Sequence, residues 1–204
     1  MSLRLLLFLL LIGLASVAWS QNLGGGLVIG GNISQIDGDT DGGFRQAGLV
    51  IGGFVNYPLG PNWYLQPEIL YDQLGSRQRQ GFFVIRSHHI SVPILISTQI
   101  NLQLGGQNQT ISLEAGPVIG ILLGASERLS GQDQTDLFRQ PDLRAVAGGS
   151  YRFSERLSFS VRYGYSILSF LRNNPANTFP LDPTRGGLFH HYIHVGLRLH
   201  LIDR

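Results

Sequence analysis

After an apolar leader, the chain repeats one pattern. Apolar residues alternate with polar or small ones for roughly ten positions, and a cluster of Gly, Asn, Asp or Pro then interrupts. Eight such segments are predicted as strands, at 27–34, 48–57, 63–72, 89–97, 111–122, 142–153, 157–168 and 188–201. Helical periodicity fits none of them better. The segment opening at Ile111 alternates with period two and carries Gly116, Pro117 and Gly120, which a helix interior resists. Evenly spaced strands without helices predict a sandwich or a barrel.

Parity separates those two. Successive strand residues point to opposite faces, and one face collects Leu49, Ile51, Val55, Trp63, Ile69, Ile94, Ile119, Tyr163 and Leu197 with no Asp, Glu or Arg. The other face holds four acids and four arginines: Glu68, Asp72, Glu114, Asp142, Arg144, Arg152, Arg162 and Arg198. Between them lie small residues such as Gly116, Gly148, Ser158, Ser160 and Gly164. A solvated sandwich face would be rich in Lys and Glu. Balanced charges among small residues suit a crowded lumen, and the uncharged face suits lipid. The prediction is an all-β, eight-stranded, antiparallel up-and-down transmembrane β-barrel. Only the first strand leaves parity open, because Val28 and Gly30 oppose Leu27 and Ile29.

Connections fit the same reading. Short turns at 58–62 and 154–156 and an intermediate one at 98–110 alternate with longer segments at 35–47, 73–88, 123–141 and 169–187, as periplasmic turns alternate with extracellular loops. An even strand number puts both termini on the periplasmic side.

Residues 1–20 read as a signal peptide and 21–204 as the barrel domain. Arg4 precedes the run Leu5–Leu14, and Ala18-Trp19-Ser20 offers small residues before Gln21, the three-part pattern of a Sec export signal. The apolar run is too short to favour a membrane-anchoring helix, which needs about 20 residues. No Cys follows to take a lipoprotein anchor.

Composition narrows the chemistry. Only 14% of residues are charged, against about 25% in soluble proteins, and the deficit falls on the outward face. Net charge is +2, so nucleic acid is not an expected partner. Zero cysteines exclude disulfides and thiolate metal sites. Every basic residue is Arg, the side chain suited to buried pairing and to forked phosphate contacts.

Near the C-terminus, His194-Val195-Gly196-Leu197-Arg198-Leu199-His200-Leu201 resembles the assembly signal that ends bacterial outer-membrane barrels, with Leu where an aromatic is usual. Five motifs in order extend the resemblance: Gly31–Asp39 with Gly42-Gly43-Phe44, Trp63–Tyr71 with Gly75-Ser76, Ile90–Leu95, Glu114-Ala115-Gly116-Pro117 and Arg162–Ser166. Together the chain is similar to PorT-like outer-membrane β-barrel proteins. The resemblance implies an eight-stranded barrel in the outer membrane of Gram-negative bacteria, and a link to protein secretion.

Candidate sites are few. Asp37-Gly38-Asp39-Thr40-Asp41-Gly42 matches half of a calcium-binding EF-hand loop, but Gly48 stands where the bidentate Glu belongs, so an Asp/Gly-rich loop is the simpler reading. His89 and Ser91 show a His-x-Ser spacing found in lipid A deacylases, yet parity turns both into the lumen, away from lipid. His190, His194 and His200 share that face with no carboxylate on their own strand. No cofactor, metal or catalytic residue is expected, and the eight charges are expected to pair and fill the barrel. Arg45, Arg86 and Arg139 extrapolate to the outward face at the outer rim, near His88 and His191, where lipopolysaccharide presents phosphate.

The expected role is therefore structural or interaction-based, without enzymatic activity. The partners would be outer-membrane lipid and lipopolysaccharide, the barrel assembly machinery, and secretion or envelope proteins met through the extracellular loops. The rival reading is a narrow channel or transporter.

Overall fold

The computed structural model describes residues 23–37, 43–77, 84–104, 107–127, 135, 138, 140–169 and 188–202. The proposed signal peptide, the centre of the Asp37–Gly42 loop and Arg139 lie outside them.

Eight strands follow in order: β1 (Gly24–Asp37), β2 (Gln46–Gly60), β3 (Trp63–Arg77), β4 (Val84–Leu104), β5 (Gln107–Glu127), β6 (Asp142–Arg152), β7 (Leu157–Ser166) and β8 (Phe189–Ile202). Each pairs antiparallel with its neighbour, and β1 pairs with β8 to close the barrel. Closure removes the unpaired sheet edges that a bilayer does not tolerate.

The register settles the first strand. Leu27 and Ile29 are 51% and 56% exposed, whereas Val28 is buried, so the odd positions of β1 face outward. The apolar face read from the other strands also points outward; Ile69 is 66% exposed.

Several connections are shorter than expected. The intermediate turn at 98–110 is instead largely a continuation of β4 and β5, paired from Thr98↔Leu113 to Leu104↔Gln107. Gln99, Asn101 and Gln103 keep the period of two with Ile100 and Leu102, and Thr110 donates to Asn101 across the pair at 2.9 Å. The long loop at 73–88 also shortens, because β3 runs to Arg77 and β4 starts at Val84.

Local chemistry explains the tightest bend. Pro61 and Asn62 join β2 to β3, with Asn62 at φ 63°. Pro at the second and Asn at the third turn position is the pair a type II turn favours. Small lumen residues have a packing cause. Gly164 pairs with Tyr192, and a Cβ on Gly164 would collide with the Tyr192 ring, whose hydroxyl would be 2.5 Å away. Glycine there lets the phenol lie flat across the strand inside a narrow barrel.

The lumen is filled. At the end carrying the longer loops, Ile36, Ile85, Leu122, Ala125, Phe138 and Leu188 pack into an apolar cap. Two further apolar groups, Val28–Val50–Phe54–Leu70 and Leu95–Val118–Val146, interleave with charged residues deeper in.

Candidate functional site

All eight charges assigned to the lumen from parity point inward. Seven are at most 4% exposed, and Arg152 is half-buried. They divide into two ion-pair networks and a separate arginine.

The deeper network is a chain. Arg162 from β7 grips Glu68 on β3 with Nη1 at 2.7 Å and Nη2 at 2.5 Å, and its Nε donates to Glu114 on β5 at 2.6 Å. Arg198 from β8 binds the same Glu114 through both Nη groups, at 2.9 and 2.6 Å. Gln66 donates to Glu68 at 2.5 Å. Two arginines thus meet two glutamates in forked geometry, which makes charge-assisted hydrogen bonds strong and directional. Across the barrel this ties four strands that are not all neighbours.

Nearer the loop end, Arg144 on β6 donates to Asp72 on β3 at 3.0 Å and to Ser91 on β4 at 2.5 Å. Ser91 donates in turn to the other Asp72 oxygen at 2.7 Å. Arg144 Nε lies 3.2 Å from Asp142. Asp142 also accepts from Ser166 at 3.1 Å and faces His190 Nδ1 at 2.9 Å. The carboxylate missing from the histidine strand therefore comes from β6, a pairing that β8 alone could not reveal. His89 on β4 meets His190 edge to face. Ser91 is engaged by Asp72 and Arg144, so the His-x-Ser spacing does not place an imidazole on its hydroxyl. Near the turn end, Arg152 contacts His200 at 3.0 Å, and Ser158 and His200 bond at 2.9 Å.

Among the described residues the lumen keeps two small cavities, one of about 10 Å³ near the turn end, lined among others by Gln66, Ser97, Ser150 and His200. The other, of about 20 Å³ and lined among others by Asp72, Ser91, Arg162 and His194, has room for roughly one water.

On the outward face at the loop end, two polar clusters escaped the sequence reading. Tyr71 bonds His88 at 2.6 Å, and Gln73 donates to Tyr71 at 3.0 Å. On the opposite flank, His191 bonds Tyr163 and, at 3.0 Å, Gln35. Of the predicted rim arginines, Arg45 is exposed just before β2, and Arg86 is half-buried on β4. Arg77, which parity did not nominate, is exposed at the end of β3. Gly75 pairs with Arg86 and Arg77 with Val84, so Arg77 and Arg86 share a face as diagonal neighbours, about 7–8 Å apart at the backbone. Little in the sequence signals Arg77, because the outward positions of Gln73–Arg77 are polar or glycine while Leu74 points inward.

Comparison with known proteins agrees with this geometry. Residues 17–172 match the family model described as outer membrane protein beta-barrel domain. No curated protein matches the sequence. Among solved structures, the attachment invasion locus protein Ail of Yersinia pestis is 14% identical with a TM-score of 0.52, covering 87% of this chain and 98% of that one. Neisserial surface protein A, NspA, is likewise 14% identical with a TM-score of 0.52, covering 88% and 97%. At that identity the likeness concerns the fold.

Proposed function

This chain belongs to the outer membrane protein beta-barrel domain family, and we propose that it serves there as a solute-tight barrel with a structural and interaction role in the envelope. One observation carries the reading: among the described residues, paired charges, polar and apolar side chains occupy the lumen from cap to turn end, and the cavities between them measure only about 20 and 10 Å³. A transport path would require several of these buried pairs to part at once, and each parting leaves charges uncompensated in a low-dielectric interior.

The working surfaces are then the loops and the outer belt. Arg45, Arg77 and Arg86 come from adjacent strands at the height of lipid headgroups, and Arg presents the planar fork that suits phosphate; they support contact with lipopolysaccharide. The β8 terminus supports recognition by the barrel assembly machinery. A role beside protein secretion rests on the PorT-like motifs, which fall on β1, β3, β4, β5 and β7. Catalysis has no such support, since Ser91 is held by Asp72 and Arg144.

Liposome swelling tests the sealed lumen. Proteoliposomes carrying the barrel should swell in small sugars no faster than protein-free vesicles. Swelling that scales with protein and falls with sugar size would establish the channel reading instead. For the secretion role, deleting the gene in its host should leave exported cargo in the periplasm; unchanged secretion would remove it.

A further inference from the structure

The loop-end network holds a feature that filling a barrel does not require. His89 on β4, Asp142 on β6 and His190 on β8 converge so that one ligand atom from each lies within 4.8 Å of the others. All three are buried, at 2%, 4% and 2% exposure. The two imidazole rings meet at 80° with centroids 5.3 Å apart.

Two independent observations point to a cation. His89 Nδ1 is buried without a hydrogen-bond partner among the described residues, a costly state for a polar atom unless something binds it. The second is charge. Glu68 and Glu114 are matched by Arg162 and Arg198, whereas among the described residues Asp72 and Asp142 share one arginine, Arg144, with His190 beside Asp142. With neutral histidines, the loop-end network carries one surplus negative charge.

We propose that His89, Asp142 and His190 form a binding site for one borderline transition-metal dication of the zinc class. Two imidazole nitrogens and one carboxylate oxygen suit such ions, whereas Mg²⁺ and Ca²⁺ prefer oxygen throughout. The His190 Nδ1–Asp142 Oδ2 separation of 2.9 Å needs to open by only about 0.5 Å to reach the spacing of two tetrahedral ligands each about 2.0–2.2 Å from zinc. The ion takes the place of the proton between those two atoms, and neutral His190 binds it through Nδ1 as the tautomer that carries its proton on Nε2. Arg144 keeps its anchors on Asp72 and Ser91 through its Nη groups while its Nε contact with Asp142 is displaced. The role is mechanical: the ion clasps β4, β6 and β8, three strands that are not neighbours, beneath the apolar cap.

The test uses the full barrel domain folded in detergent micelles, stripped with chelator and titrated with Zn²⁺ or Co²⁺. The expected result is one bound equivalent after gel filtration, a higher thermal midpoint with Zn²⁺, and a visible Co²⁺ absorption band. His89→Gln and His190→Gln should each lose the equivalent and the thermal shift while migrating as folded barrels. A His88→Gln/His191→Gln double variant, altered only on the outward face, should retain both. Wild-type barrel that takes up no equivalent overturns the proposal even if a lumen variant fails to fold. So does a His89→Gln barrel that binds as wild type, or an equivalent lost only from the His88→Gln/His191→Gln protein.

Discussion

Replacing Arg162 with Met isolates what the buried pairs contribute. Arg162 makes three bonds of 2.5–2.7 Å, two to Glu68 and one to Glu114. Met keeps the bulk and removes the charge. Glu114 retains both bonds from Arg198, but among the described residues Glu68 keeps only the amide of Gln66 and an Arg198 nitrogen 3.9 Å away. Stranding a buried carboxylate in this way costs about 3–5 kcal/mol. Neutralising Glu68 as well removes the stranded charge, so Glu68→Gln/Arg162→Met should be less damaged than the two single losses combined, with a coupling on the order of 2 kcal/mol. The assay is equilibrium urea unfolding of the micelle-embedded barrel, followed by Trp63 fluorescence and by heat-modifiable gel migration. The midpoint should fall for Arg162→Met with the slope unchanged. A loss below about 1 kcal/mol, the worth of an exposed pair, would refute the reasoning. So would single losses that add within about 0.5 kcal/mol.

Other perturbations read other parts of the barrel. Ile69→Arg, on the outward face at mid-strand, should cost about 2–4 kcal/mol in vesicles, and Leu59→Arg beside the turn about 0–1 kcal/mol; equal losses would contradict the assignment of faces and depth. Gly164→Ala should cost about 1–3 kcal/mol through overpacking against Tyr192, and most of it should return in Gly164→Ala/Tyr192→Leu; a double variant worse than the single would show that the phenol is not the obstacle. Changing Arg45, Arg77 and Arg86 together to Gln should strip lipid A from the purified barrel, read by native mass spectrometry, and undiminished retention would dismiss the phosphate rim. Free phosphate competing equally well with lipid A would show that only the phosphate group is recognised.

Much of the fold was legible because a barrel in lipid imposes one rule on every strand. Alternation at Leu49–Val55 or Val161–Tyr165 has to continue for as long as one side meets lipid and the other the lumen, so strand number, faces and the eight lumen charges follow from parity. Strand ends were less legible for the converse reason. Past the bilayer the contrast weakens: Gln99–Gln103 reads as a loop although the same alternation runs through it, and in Gln73–Arg77 the alternation is lost, with Gln73 and Arg77 outward and Leu74 inward. Pairing across the lumen was less legible. Which carboxylate meets His190, and that Arg162 rather than Arg144 bridges Glu68 and Glu114, depends on strand stagger, and no single strand carries that information.

The sealed lumen is the claim on which the rest depends. Single-channel recording of the barrel in a planar lipid bilayer tests it most directly. A closed lumen predicts a baseline matching protein-free membrane across voltage and salt. Discrete openings of uniform size that appear with the folded barrel and change ion selectivity in Arg162→Met would contradict it.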